Sequence, residues 1–242
     1  GLGGRLWHSA ESFAPLALVA ACWLWGLGRV ERWRALEPGL PVWRVALIQP
    51  NLPCVFSSDD GAARRQHELL ISQTGLAGAA KPDLVVWPET AVPGSVPYEP
   101  ETMRMIRAGA AAAGAPLLTG TLETEHTDVT PAAPEGMLFY NAAWLFSASG
   151  EKLGSYRKRH LVPFGEFIPL DKRIPWLQRL APTGVSCTPG ADPGVTAVPR
   201  GGGAGEVLRL GPLICFEDTV PALSRAAVRA GAWSGVPCPA IM

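Results

Sequence analysis

Residues 83–89 read Asp-Leu-Val-Val-Trp-Pro-Glu, an apolar run closed by Pro88 that delivers a carboxylate, Glu89, at its end. A short apolar run bounded by a breaker predicts a buried strand. Helical patterns lie on both sides. Residues 62–80 place Leu69, Leu70 and Leu76 on one side and Arg64, Arg65 and Glu68 elsewhere, and residues 101–113 repeat Met103, Ile106 and Ala110 at helical spacing. Farther out, VWRVALIQPN (42–51) alternates, turns apolar and stops at Pro50, and PLLTGTLE (116–123) reads as a strand. The middle of the chain, MLFYNAAWLFSASGEKLGSYRK (137–158), predicts two strands joined at Ser149-Gly150. LGPLICFED (210–218) predicts another buried strand, and LSRAAVRAGA (223–232) another helix. Strands alternating with helices argue for an α/β fold, while the adjacent central strands argue against a purely doubly wound parallel sheet. The expectation is a layered α/β arrangement with helices outside and sheets inside.

The 242 residues suffice for one large domain or two small ones. Only 17% of them are charged, against about 25% in ordinary soluble domains, and 48% are hydrophobic. That balance points to a membrane neighbour or a deeply buried sheet. Net charge is zero and no basic block is long enough to follow a phosphate backbone, so no nucleic acid partner is expected. The five cysteines, Cys22, Cys54, Cys187, Cys215 and Cys238, form no CxxC and no His/Cys ligand spacing. No metal site is expected from them, and no organic cofactor is indicated. Residues 12–28 (SFAPLALVAACWLWGLG) run for seventeen residues without a charge. A spanning helix needs about 17 to 25 predominantly apolar residues, and Trp23, Trp25 and Trp33 suit a membrane interface. Residues 1–41 are therefore read as a membrane segment with a linker, and residues 42–242 as the folded domain.

Three side chains at the ends of these elements carry chemical interest. Glu89 sits at the mouth of a buried strand, where partial desolvation would suit a general base. Taken singly, it reads more readily as a solvated turn carboxylate. Cys215 falls where an apolar strand switches abruptly to Glu217 and Asp218, which places its thiol at an edge. A cysteine in an apolar strand is usually inert, and becomes a nucleophile only with a base or a cation beside it. Lys158 belongs to the basic run 157–160, which then enters the apolar, turn-rich sequence LVPFGEFIP (161–169). A basic run entering a buried loop can bring one ammonium inside, where it would stabilise an oxyanion.

In this order, Trp87-Pro88-Glu89, then the word RKRHLVPFGE (157–166), then Ile214-Cys215-Phe216-Glu217 resembles the Glu–Lys–Cys signature of the nitrilase, or carbon–nitrogen hydrolase, superfamily. The flanking words LIQPN (47–51), PDLVVWPETAVP (82–93), YNAAWLF (140–146) and HLVPFGEFIPL (160–170) are similar to the apolipoprotein N-acyltransferase family within it. That resemblance implies an α-β-β-α sandwich, preceded by a membrane helix and held on the periplasmic side of the bacterial inner membrane. It implies that Glu89 is the base, Cys215 the nucleophile, and Lys158 with the backbone N–H of Phe216 the oxyanion donors. Glu166 would be a supporting carboxylate beside the lysine, with Glu217 and Asn141 as further supporting candidates. The last two read equally as a surface carboxylate and a strand-end turn residue. The implied reaction takes an acyl chain from a phospholipid onto Cys215 and passes it to the α-amine of a diacylglyceryl-cysteine at an apolipoprotein N-terminus. The apolar residues Ile168, Leu170, Ile174, Trp176, Leu177 and Leu180 follow the lysine loop and are expected either to face lipid or to form a packed loop.

Two departures from the family stand out. After Pro53, residues 54–59 (CVFSSD) lack the Lys-Trp pair that the family often carries there. Residues 233–242 (WSGVPCPAIM) show no strand or helix pattern where the family continues into further sheet, so the domain is read as truncated or frame-shifted. Uncovered strand edges then lead to the expectation that this chain alone is unstable and inactive. The rival expectations are a soluble amidase using water as acceptor, and an inactive remnant in which Cys215 is structural.

Overall fold

The computed structural model describes residues 2–51, 60–92, 94–130, 133, 136–170, 173–174, 176–177, 186–200 and 207–232. Two compact units divide at Val42 and Trp43. The first is dominated by one helix, α1 (Leu2–Leu36), considerably longer than the apolar core at 12–28 that marks it in the sequence. Apolar patterning detects only the segment without charges, whereas the backbone ladder continues through residues 29–36, where Arg, Glu, Ala and Leu have good helix propensity. The stretch Phe13–Gly39 is long and apolar enough to cross a membrane, its most apolar 18-residue window having a mean hydropathy of 1.5. Phe13, Leu16, Leu18, Val19, Trp23 and Trp25 all stand exposed along it.

In the second unit, a six-stranded mixed sheet runs β1 (Val45–Leu47), β2 (Leu84–Val86), β4 (Leu117–His126), β5 (Met137–Phe146) and β6 (Lys152–Arg157), with β3 (Ser95–Val96) paired to β4. β1, β2 and β4 are parallel, and β4–β5–β6 form an antiparallel meander. Helices α2 (Asp60–Gly78) and α3 (Pro100–Ala113) cover one face. The core between them and the sheet joins Leu70, Ile106 and Ala110 to Val85, Trp87, Leu117, Trp144 and Phe146. Each large side chain removed from water there contributes roughly 1.5–3 kcal/mol. Pro100 opens α3 at its first turn, and Gly114 closes it in the left-handed region at φ 60°.

On α2 the buried positions are Leu70 and Thr74. Leu76, read from sequence as part of the buried side, is 78% exposed. Six residues beyond Leu70 falls about a third of a turn off the face that repeats at four and seven.

Against the opposite face lies a two-stranded antiparallel sheet, β7 (Thr196–Pro199) and β8 (Val207–Leu210). Val198, Leu208 and Leu210 pack there on Leu84, Val86, Leu118 and Leu145, which is the sheet-on-sheet layer. Neither β3 nor β7 was expected from sequence, because two to four residues carry too little periodicity to register.

The expected buried strand at 210–218 does not form. Leu210 ends β8, Gly211-Pro212 breaks the ladder, and residues Cys215–Thr219 wind into a short 3-10 helix. The apolar letters that resemble a strand are used singly. Ile214 is buried with Ala143 and Tyr156, while Phe216 is 60% exposed. The expected helix at 223–232 is α4 (Pro221–Ala227), followed by a wide turn, Val228–Ala232, in which Gly231 takes φ 97°. The tail read from sequence as truncated (233–242) and the stretch without the Lys-Trp pair (54–59) lie outside the described residues.

Candidate active site

β2, β4, β5 and β6 present one end of their inner face to the same place. Glu89 follows β2, with its backbone crossing directly over β4. Gly120 donates its N–H to the Pro88 carbonyl at 3.2 Å, and the Ala91 N–H reaches the Gly120 carbonyl at 3.0 Å. A β-carbon on Gly120 would stand 2.5 Å from Glu89 Cα and 2.6 Å from the Pro88 oxygen, so only glycine admits this crossing. Trp87 fixes the segment from behind, donating from Nε1 to Thr74 Oγ1 at 2.8 Å across the helix layer.

Lys158 extends β6 by one residue, donating its backbone N–H to Asn141 of β5 at 2.8 Å. Strand alternation separates the basic run. Arg157 points to the helix face, where it pairs with Glu123 and Glu125 at 2.6 Å each and stacks on Tyr140. Lys158 points to the other face and is 1% exposed. Its Nζ donates to Glu166 Oε1 at 2.9 Å and stands 3.7 Å from Glu89 Oε1. Burial pulls the lysine pKa down, but the hydrogen bond and charge of Glu166, then Glu89 and Cys215, outweigh it and hold the ammonium above its ordinary range. The Cys215 thiol is thus within electrostatic reach of the one buried ammonium among the described residues.

Asn141 joins the two carboxylates. Its Nδ2 donates to Glu89 Oε1 and Glu166 Oε1, both at 2.6 Å. Two acceptors require the amide nitrogen on that side, which settles the orientation of the group. Glu166 is also held by the Val162 N–H at 2.9 Å on its other oxygen. Glu89 is less enclosed than the sequence reading expects, with 38% of its side chain exposed, because it follows the strand end rather than lying under it. An accessible carboxylate hydrogen-bonded to one amide is able to take and return protons.

Cys215 is exposed and opens the 3-10 turn with φ 52°. A left-handed conformation at a non-glycine residue costs about 1–3 kcal/mol and persists where surrounding contacts enforce it. Those contacts centre on Glu217, which is fully buried and not the surface carboxylate that its sequence neighbourhood allows. Its oxygens accept from Tyr156 Oη at 2.7 and 2.8 Å, from the N–H groups of Arg159 and His160, and from the Ile214 N–H. All four partners are donors, which matches the acceptor-only capacity of a carboxylate. Phe216 lies on the exposed side of this turn.

Of the residues read as facing lipid, Trp176 is 62% exposed, Ile174 and Leu170 are exposed and Leu177 is half-buried. Ile168 is buried instead, with its N–H on Ser186 Oγ, and Leu180 lies outside the described residues. Among the described residues no cluster of metal-ligating side chains occurs.

Three neighbours of the site escape a reading by sequence. Gly120 acts by lacking a side chain, which leaves no pattern. Tyr156 carries a signal in retrospect, since it stands two residues before Lys158 and so shares its face. Cys187 is buried against the Glu166 segment, its N–H on the Glu166 carbonyl at 2.7 Å, and burial pushes its thiol up to about 11.

Two facing sheets with helices outside, and a strained cysteine beside a buried lysine that two carboxylates share, define a class. Residues 44–233 match the carbon–nitrogen hydrolase family, and the chain belongs to this superfamily of enzymes. It is similar to the apolipoprotein N-acyltransferase of Geobacter metallireducens, with 35% identity over 83% of this chain and 36% of that protein. Those of Allorhizobium ampelinum (32% identity, 91% of this chain, 40% of that one) and Chlorobaculum tepidum (31%, 84% and 40%) are similar too. The chain therefore spans well under half the length of these curated relatives. Among solved structures, an amidase from Nesterenkonia sp. superposes with a TM-score of 0.51 at 21% identity, covering 78% of this chain and 62% of that one. A mutant of the Nesterenkonia sp. AN1 amidase, bearing the acetamide moiety of fluoroacetamide on its active-site cysteine, gives a TM-score of 0.50 at 22% identity with the same coverage. At that identity these likenesses establish the nitrilase fold.

Proposed function

We propose that this chain carries the catalytic domain of an N-acyltransferase that moves a fatty acyl group from a phospholipid, through a thioester on Cys215, to the α-amine of an N-terminal diacylglyceryl-cysteine of an apolipoprotein. The observation that carries the chemistry is the buried ammonium of Lys158, held between Glu89 and Glu166 and within electrostatic reach of the Cys215 thiol. In the first half-reaction Glu89 takes the thiol proton and the sulfur attacks the ester carbonyl. The resulting oxyanion is met by Lys158 and the backbone N–H of Phe216. Collapse breaks the ester C–O bond, and Glu89 returns its proton to the departing lysophospholipid oxygen. In the second half the acceptor amine attacks the thioester, loses a proton to Glu89 and expels the Cys215 thiolate, which recovers that proton. Glu166 and Asn141 hold Lys158 and Glu89 in place for both steps.

A lipid donor, rather than a small soluble amide, is supported by similarity to the acyltransferases and by the apolar surface of the lysine loop and the nucleophile turn. Phe164, Leu170, Trp176 and Phe216 are each at least 60% exposed. A helix apolar enough to span a membrane precedes the domain in sequence, consistent with residence in a bacterial inner membrane with the domain on the periplasmic side. The test is intact-mass spectrometry of the detergent-solubilised chain after incubation with phospholipid, with Cys215→Ala as control. An acyl-sized adduct, absent from the control and removed by hydroxylamine, is expected. A folded protein that gives no adduct with phospholipid but hydrolyses small amides would overturn the acyltransferase reading in favour of an amidase.

A further inference from the structure

Glu217 is a charged side chain with no exposed surface, two residues after the cysteine and outside the direct lysine–carboxylate cluster. Burying a carboxylate is costly unless every lone pair finds a donor. The donors here are not arbitrary. Tyr156 precedes Lys158 by two residues, and the Arg159 and His160 N–H groups follow it directly, so Lys158 is bracketed from both sides. The Ile214 N–H, at 2.9 Å from Oε2, belongs to the residue just before Cys215. One carboxylate therefore ties the backbone around the lysine to the backbone around the thiol. Tyr156 supplies the only side-chain donor among the described contacts and spans both oxygens, at 2.8 and 2.7 Å.

We propose that Tyr156 is a positioning residue that acts through the buried Glu217 carboxylate, locking the Lys158 strand to the Cys215 turn and thereby setting the reactivity of the thiol. The inference rests on reading Cys215 as the nucleophile. Its physical basis is that ammonium–thiolate attraction depends on separation, and the lock sits two residues from each partner. The Tyr156 hydroxyl is suited to a permanent donor role, since burial and then the Glu217 hydrogen bond push it up to about 12. The left-handed backbone at Cys215 is held by the same anchor, because Ile214 is bonded to Glu217 and buried against Tyr156.

The experiment measures the rate of Cys215 alkylation by iodoacetamide against pH, by peptide mass mapping, in the full 242-residue chain in detergent. Wild type is compared with Tyr156→Phe, and folding is checked by circular dichroism. Without the hydroxyl, the apparent thiol pKa from the profile should rise by about one unit, so that the rate at neutral pH falls about tenfold. Placing para-aminophenylalanine at position 156, which returns a weaker donor with the same reach, should restore part of the shift. A purely structural tyrosine would lower the melting temperature and leave the profile where it was, and that result overturns the proposal. If Tyr156→Phe does not fold, the comparison is tyrosine against aminophenylalanine, with a smaller shift expected and coincident profiles refuting the lock. The readout needs no substrate. A failed phospholipid assay with a shifted profile would refute the acyltransferase reading alone, and an acyl adduct with an unshifted profile would refute the lock alone.

Discussion

Replacing Glu166 by Gln keeps shape and leaves an acceptor for Asn141, but removes the charge 2.9 Å from a lysine that is 1% exposed. Breaking a buried ion pair by neutralising one partner typically costs about 3–5 kcal/mol, because the other charge stays buried and uncompensated. Here Glu89 remains at 3.7 Å as a second counter-charge. The expected cost is therefore below that range, about 2–3 kcal/mol. In a domain of this size that lowers the melting temperature by about 5–10 °C. The pH dependence gives a sharper test. In the wild type the Lys158 pKa is raised above 10.5, against the downward pull of burial, mainly by Glu166. A cation whose folded pKa lies above its unfolded value stabilises fully below the unfolded value, and that stability is lost as pH rises through the folded one. Wild type should thus keep the contribution of Lys158 until the pH passes 10.5. In Glu166→Gln the pull of burial is opposed only by weaker partners, so the margin of the folded pKa over the unfolded one shrinks or reverses, and the fall in stability above pH 10.5 should be smaller than in wild type or become a rise. Urea unfolding followed by tryptophan fluorescence, from about pH 7 to about pH 11, reads both effects. Coincident midpoints for the two proteins across that range would show that the ion pair does not hold the site and would refute this reasoning.

Gly120→Ala adds a single methyl group where the backbone of Glu89 passes 2.5 Å away. It should cost about 1–3 kcal/mol in urea unfolding and, by displacing Glu89, reduce Cys215 adduct formation by more than its effect on stability accounts for. Cysteine mapping with iodoacetamide at neutral pH should label the exposed Cys215 while sparing Cys187, which is buried with its thiol pushed up to about 11. Equal labelling of Cys187 and Cys215 in a folded sample would contradict that assignment. Trp176→Ser removes the largest exposed apolar side chain of the lysine loop. It should slow acyl-adduct formation from vesicle phospholipid several-fold without altering iodoacetamide labelling, and an unchanged rate would remove this residue from the lipid-facing set.

Much of the architecture is legible in one dimension because it depends on local patterning. The run Leu84-Val85-Val86 is apolar enough to be a strand wherever it is placed, and residues 137–157 read as two strands because the turn at Ser149-Gly150 divides them. The words that carry Glu89, Lys158 and Cys215 resemble the superfamily whose family model matches residues 44–233. Other outcomes depend on what faces a residue across space. The letters LICF read as a strand, yet their conformation follows from Glu217, whose five hydrogen-bond contacts pull the segment into a turn. Nothing in the composition of that segment tells a solvated Glu217 from a buried one, because the donors that decide it lie 57 to 61 residues away on β6 and just beyond it, apart from Ile214.

The sequence by itself therefore determined the α/β class, the apolar helix, and the three side chains on which the proposed chemistry rests, because hydrophobic period and residue type act locally. Only the tertiary structure decided which residue of the basic run 157–160 is buried. It also decided that Asn141 bridges two carboxylates, that Gly120 makes room for Glu89, and that Tyr156 and Glu217 join the lysine strand to the cysteine turn. Each of these follows from desolvation and donor–acceptor matching between groups far apart in the chain, and neither is defined until the sheets have packed.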